Sequence, residues 1–175
     1  HTVAAAIKED LARVKDALDL FTRKGGQPEE LRPQVDLLKK IGDTLANLTL
    51  QQVDAIFSKT RRGGLAADIT TWGQLGLTGD WQDKPISMFG RNSASGTYGY
   101  FKEHALYKGD CKDTVKEQPG SAAVVQGITA DKFAIGYSGI GYKTSDVKSL
   151  KLAAKDGGAF VADDAGNVYS GTYPL

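Results

Sequence analysis

The stretch PISMFGRNSASGTYGYFKEHAL, residues 85–106, changes grammar at its centre. Its first part, PISMFGR, reads as a short strand with Pro85 at the edge, where a missing amide is tolerated. From about Gly96 to Leu106 it reads as a helix. A strand that stops and feeds a helix leaves the first helical amides without partners, and those amides with the helix dipole favour an anion. Ser95 and Thr97 add hydroxyl donors, and Gly96 lets an oxyanion approach the backbone with no Cβ in the way. Arg91 adds a planar, permanently charged fork that can grip two oxygens. The same pattern also reads as a plain cap at Ser93 or Ser95 beside a surface arginine, and the residues alone leave both readings open.

Other chemistries fit the stretch less well. A nucleotide-binding loop needs Lys followed by Ser or Thr after its last glycine, whereas Thr97–Tyr98 follows Gly96. A serine nucleophile needs a base within reach. His104 lies nine residues beyond Ser95 on the same expected helix, roughly 13 Å along its axis. The stretch GYSGIG, Gly136 to Gly141, misses both the hydrolase elbow and the dinucleotide fingerprint by a position and suits a tight turn near the cleft. No acid–base pair survives the spacing argument, so an enzyme is not expected.

Outward from this stretch, composition sets wide bounds. The chain has 175 residues, 41% of them hydrophobic and 25% charged, the balance of a soluble globular protein. Twenty-two basic residues against 21 acidic leave a net charge of +1, so no global field favours nucleic acid or a membrane. The basic knot Lys59–Arg62 runs into Gly63–Gly64 and reads as a solvated loop. No apolar run reaches the length of a membrane span, and the start HTVAAAIKED lacks a signal peptide's apolar stretch. Cys111 is the lone cysteine, and with His1 and His104 it offers no zinc spacing. Neither a metal nor a cofactor is expected.

Two regions follow. Residues 1–47 read as a helical hairpin. Ile7, Leu11, Val14, Leu18 and Phe21 form one helical stripe, closed by Gly25–Gly26. Pro28 opens a second helix, with Glu29 and Glu30 at its start, Pro33 still tolerable near its start, and Leu31, Val35, Leu38, Ile41 and Leu45 as its stripe. The hairpin needs a partner surface for this seam, either its own domain or a second molecule.

Residues 48–175 interleave helices and strands, which makes the class α/β. Thr49 caps a helix carrying Leu50, Val53, Ile56 and Phe57 on one face. SAAVVQGI is a short helix capped by Ser121, and KFAIGYSGIGY a glycine-broken strand. VKSLKLAA, AFVADD and NVYSG are expected strands separated by Asp/Gly turns.

In this order, LTLQQVDAIFSKT (48–60), TWGQLGLTGDW (71–81), ISMFGRNSASGTYGYFKEHAL (86–106), PGSAAVVQGI (119–128) and AIGYSGIGYKT (134–144) closely resemble the second lobe of PstS-family phosphate-binding proteins. These are the extracytoplasmic receptors of bacterial phosphate ABC transporters. The resemblance covers residues 48–175 and implies a single lobe of a type II periplasmic-binding-protein-like fold, preceded by the helical hairpin. In that family two lobes close on phosphate, and an Arg-x-x-x-Ser-Gly-Thr motif supplies the second lobe's contacts. Carried over, Arg91 pairs with phosphate, and Ser95, Gly96 and Thr97 donate from the helix start. Many members place an acidic residue two positions after the arginine to orient it; Ser93 stands there instead. The resemblance also implies that a first lobe or partner chain is missing, with the acid that accepts the phosphate proton, and that transporter membrane subunits are partners. A different class of function, an interaction or scaffold protein, would work through the hairpin, which could also join copies of the chain, with the anion turn vestigial.

Overall fold

Five short strands form one mixed sheet, in the order 116–118, 87–91, 134–139, 35–40 and 147–149. The computed structural model describes residues 3–23 and 34–175. The strands are β1 (Val35–Lys40), β3 (Ser87–Arg91), β4 (Lys116–Gln118), β5 (Ala134–Gly139) and β6 (Val147–Ser149), with β2 (Asn47–Thr49) and β7 (Lys151–Ala153) paired separately in parallel. β3 runs parallel to β4 and β5, whereas β1 runs antiparallel to β5 and β6. The helices are α1 (Val3–Arg23), α2 (Leu50–Phe57), α3 (Gly96–Ala105), α4 (Ser121–Ala130) and α5 (Ala165–Ser170). The α/β class is as expected.

Both faces of the sheet are covered, so its central strands bury residues on either side. Leu37, Ile135 and Tyr137 face a core that includes Phe57 of α2 and Phe101 of α3. Leu38, Phe89 and Ala134 face Val124, Val125 and Ile128 of α4. Two glycines permit this closeness. A Cβ on Gly136 would stand 2.8 Å from Ile128 Cδ1, and one on Gly90 would stand 2.6 Å from Tyr137 Cε1.

α2 starts as its sequence dictates. Thr49 Oγ1 accepts from the Gln52 amide and Gln52 Oε1 accepts from the Thr49 amide, a reciprocal capping box.

The expected hairpin is not formed. Its first half is helical, as α1, but the second is the central strand β1. The spacing of Val35 and Leu38 imitates a helical stripe because β1 is buried on both faces, every residue from Val35 to Lys39 being enclosed, whereas Ile41 and Leu45 lie beyond the strand. A strand without polar alternation cannot be told from a buried helix by periodicity. β1 therefore belongs to the sheet of the lobe, and the expected boundary at residue 47 cuts through one unit. The Gly25–Gly26 stop and the Pro28 start lie outside the described residues, as do the side chains of Leu18 and Phe21. Val3, Ile7, Leu11 and Val14 of α1 are 53–63% exposed, so the described part of the stripe is not buried against the lobe.

Three smaller expectations also change. NVYSG is helical: Asp164 Oδ1 caps α5 by accepting from the Asn167 amide, and Gly171, at φ +75°, closes it. AFVADD contributes only the bridge of Val161 to Leu152. Ser121 is the first residue of α4 rather than its cap, which is Gly120, and its hydroxyl serves another purpose.

Candidate anion site

Arg91 closes β3, and its side chain emerges on the α4 face of the sheet. The backbone there is fixed by Tyr137, whose hydroxyl accepts from the Arg91 amide at 3.2 Å and donates to the Arg91 carbonyl at 3.4 Å. Burial, with Cys111 nearby, pushes the Tyr137 phenol well above its ordinary pKa. Its ring stacks on Phe101 at 3.8 Å between centroids, which ties α3 to the strand that holds Arg91.

The turn after Arg91 delivers the helix start as expected. Ser95 caps α3, its Oγ accepting from the Tyr98 amide at 2.9 Å. The cap reading and the anion reading are compatible, because a capping hydroxyl still has its own proton to donate. Gly96 and Thr97 occupy the first turn, where amides have no intrahelical acceptor. Gly96 and Ser93 are exposed and Thr97 half-buried. The four matched residues, Arg91, Ser95, Gly96 and Thr97, thus come from one strand end and one helix start.

The guanidinium is buried and held from three sides. Nη1 donates to Ser121 Oγ at 3.4 Å, and Nη2 donates to the Pro119 carbonyl at 3.2 Å and to Asp10 Oδ2 at 3.0 Å. Nε is buried without a partner among the described residues. Ser121 Oγ also accepts from the Gly139 amide at 2.9 Å, linking α4 to the end of β5.

Sequence reasoning missed Asp10. It lies 81 positions away on α1, and no local pattern points to it. Its other oxygen accepts from Tyr142 Oη at 3.3 Å, and burial, then the Asp10 charge, pushes that phenol up to about 12. One turn further, the Arg13 guanidinium donates to the Ile140 carbonyl and lies 5.3 Å from the Tyr142 ring centroid. Ser121 and Pro119 were inside a recognised motif but carried no signal of contact with Arg91.

Two of the three cations of the basic knot are paired with acids. Lys59 pairs with Asp113 at 2.7 Å and Arg61 with Asp68 at 2.8 Å, while Arg62 donates to the Lys108 carbonyl. His104 packs on Tyr100, 4.1 Å between ring centroids.

A family model described as a PBP superfamily domain matches residues 26–175. The phosphate-binding protein PstS of Pseudomonas aeruginosa is 54% identical over 168 residues, covering 93% of this chain and 52% of that protein. The chain thus spans about half the length of this relative. Two solved structures share the fold. A possible phosphate-binding protein from Planctomyces limnophilus superposes with a TM-score of 0.67 at 23% identity, over 82% of this chain and 49% of that one. A putative phosphate ABC transporter substrate-binding protein with bound phosphate, from Clostridium perfringens, gives 0.65 at 23% identity, over 85% and 58%. With the family match extending over β1 as well as the anion turn, the chain belongs to the PBP superfamily.

Proposed function

We propose that this chain is a phosphate-binding lobe of a substrate receptor serving an ABC-type phosphate uptake transporter. The observation that carries the reading is Arg91: a buried guanidinium at the end of the strand that leads into α3, with Nε lacking a partner among the described residues. The 54% identity to PstS supports phosphate as the anion. Arg91 supplies the charge-assisted contacts, and Ser95, Gly96 and Thr97 donate from the helix start. The role is binding, without catalysis, and belongs outside the cytoplasm with the transporter's membrane subunits as partners. Closure against a first lobe or partner chain would complete the site and add affinity. The scaffold alternative rested on a helical hairpin, and β1 removes half of it.

Calorimetric titration of the folded chain with inorganic phosphate at neutral pH, with sulfate alongside, tests the reading. Arg91→Ala should weaken phosphate binding by about 100-fold or more, as expected for loss of a buried charged contact. Unchanged affinity would overturn the site.

A further inference from the structure

Asp10 sets an anionic oxygen on the buried Arg91 guanidinium, 3.0 Å from Nη2. Its carboxylate is an anion on Arg91 Nη2, presented by a helix that the anion turn does not contain. Only one prong of the guanidinium is used this way; Nε stays without a partner among the described residues, although a side-on anion would engage it. The carboxylate side chain is about one-third exposed, whereas the arginine is 7% exposed.

The way α1 is attached matters as much. Its apolar residues Val3, Ile7, Leu11 and Val14 face solvent. Among the described side chains its contacts with the lobe are polar: Asp10 on Arg91 and Tyr142, and Arg13 on the Ile140 carbonyl and the Tyr142 ring. An exposed or partly exposed polar contact of this kind is worth little, so the Asp10 contact is cheap to break.

We propose that Asp10 is a built-in competitor for the anion site, so that phosphate must expel its carboxylate from Arg91 and in doing so frees α1. The idea rests on the phosphate reading above. A side-on anion needs Nε together with Nη2, whose two protons already go to the Pro119 carbonyl and Asp10, and a phosphate dianion beside an unmoved Asp10 is repelled. Linkage makes the exclusion mutual: whatever holds α1 down weakens phosphate, and phosphate loosens α1 by the same factor.

Two measurements on the full chain decide it. Calorimetry with inorganic phosphate compares the natural chain with Asp10→Asn, which keeps the shape and removes the charge. Hydrogen exchange follows the α1 amides with and without phosphate. The expected result is about ten-fold tighter phosphate binding by Asp10→Asn, within the usual range of coupling between sites, and faster α1 exchange when phosphate is added to the natural chain. Binding by both proteins with equal or lower affinity in the variant, or α1 exchange indifferent to phosphate, would overturn the competitor and leave the phosphate site standing. No phosphate binding by either folded protein would overturn the phosphate reading, and this inference with it.

Discussion

Arg91 and Lys39 are both buried cations rooted in the same sheet, and they are held in opposite ways. Lys39 on β1 is fully enclosed. Its Nζ lies 3.5 Å from the Trp72 ring centroid and 4.8 Å from that of Trp81, with Asp43 Oδ2 at 3.0 Å, though without hydrogen-bond alignment. Asp43 is four residues along the chain and is also paired with Lys148 at 2.9 Å, so the anion comes with the element itself. Burial pulls the Lys39 ammonium down to about 8, with Asp43 opposing. Arg91 instead takes its charged contact from a separate helix, fills the rest with neutral oxygens, and leaves Nε over. One cation is sealed by its surroundings; the other is kept available.

The largest test of that contrast is Lys39→Ala. It empties the space between two indole rings and leaves the buried Asp43 with Lys148 as its remaining cation. Removing one member of a buried pair costs about 3–5 kcal/mol, and the surviving Lys148 contact puts the expected loss near the lower end. Urea unfolding checks the stability, and phosphate affinity of the folded fraction should be unchanged. A loss below about 1 kcal/mol, the scale of an exposed pair, would break the distinction.

Asp36 sharpens the comparison from the acidic side. It lies three residues before Lys39 on β1, is 1% exposed, and accepts from Ser138 Oγ at 3.1 Å. Burial first, then the charge of Asp163, raises its pKa from 3.8 to about 7. The folded state therefore holds this proton where the unfolded chain has lost it. Its contribution is fully present below the unfolded pKa and disappears as pH rises through the folded value. Between pH 5 and 7 the natural chain should lose about 2 kcal/mol of stability from this group. Asp36→Asn should flatten that slope in denaturant midpoints measured across the range, and an unaltered slope would show that Asp36 is not the titrating group.

The same contrast explains what the sequence could reveal. The anion turn is local: Arg91, the Ser95 cap and the α3 start lie within one strand–helix junction, so adjacent residues carry the whole signal. α2 is legible for the same reason, since Thr49 and Gln52 cap one another across a single turn. β1 was not legible, because burial on both faces erases the alternation that marks a strand. α5 was missed because Val168 and Tyr169 suggested a strand, whereas the Asp164 cap decides the local geometry. The Asp10–Arg91 contact joins residues 81 positions apart, and no periodicity encodes such a meeting.

Ser121→Ala probes the neutral side of the Arg91 cradle and should have the smallest effect. The hydroxyl is 1% exposed and accepts from both the Gly139 amide and Arg91 Nη1, so its loss leaves two donors short of an acceptor. An orphaned buried donor costs about 1–3 kcal/mol, and the Nη1 contact, at 3.4 Å, is long enough to add little. The expected stability loss is therefore about 1 kcal/mol, read by urea unfolding. Phosphate affinity should fall only about three- to five-fold, the size of one neutral hydrogen bond near 1 kcal/mol, because Pro119 still holds Nη2. If Ser121→Ala instead weakened phosphate as severely as Arg91→Ala, the arginine's usefulness would depend on one rigid hydroxyl. Arg91 would then be as firmly fixed by its surroundings as Lys39, and the contrast between a sealed cation and an available one would fail.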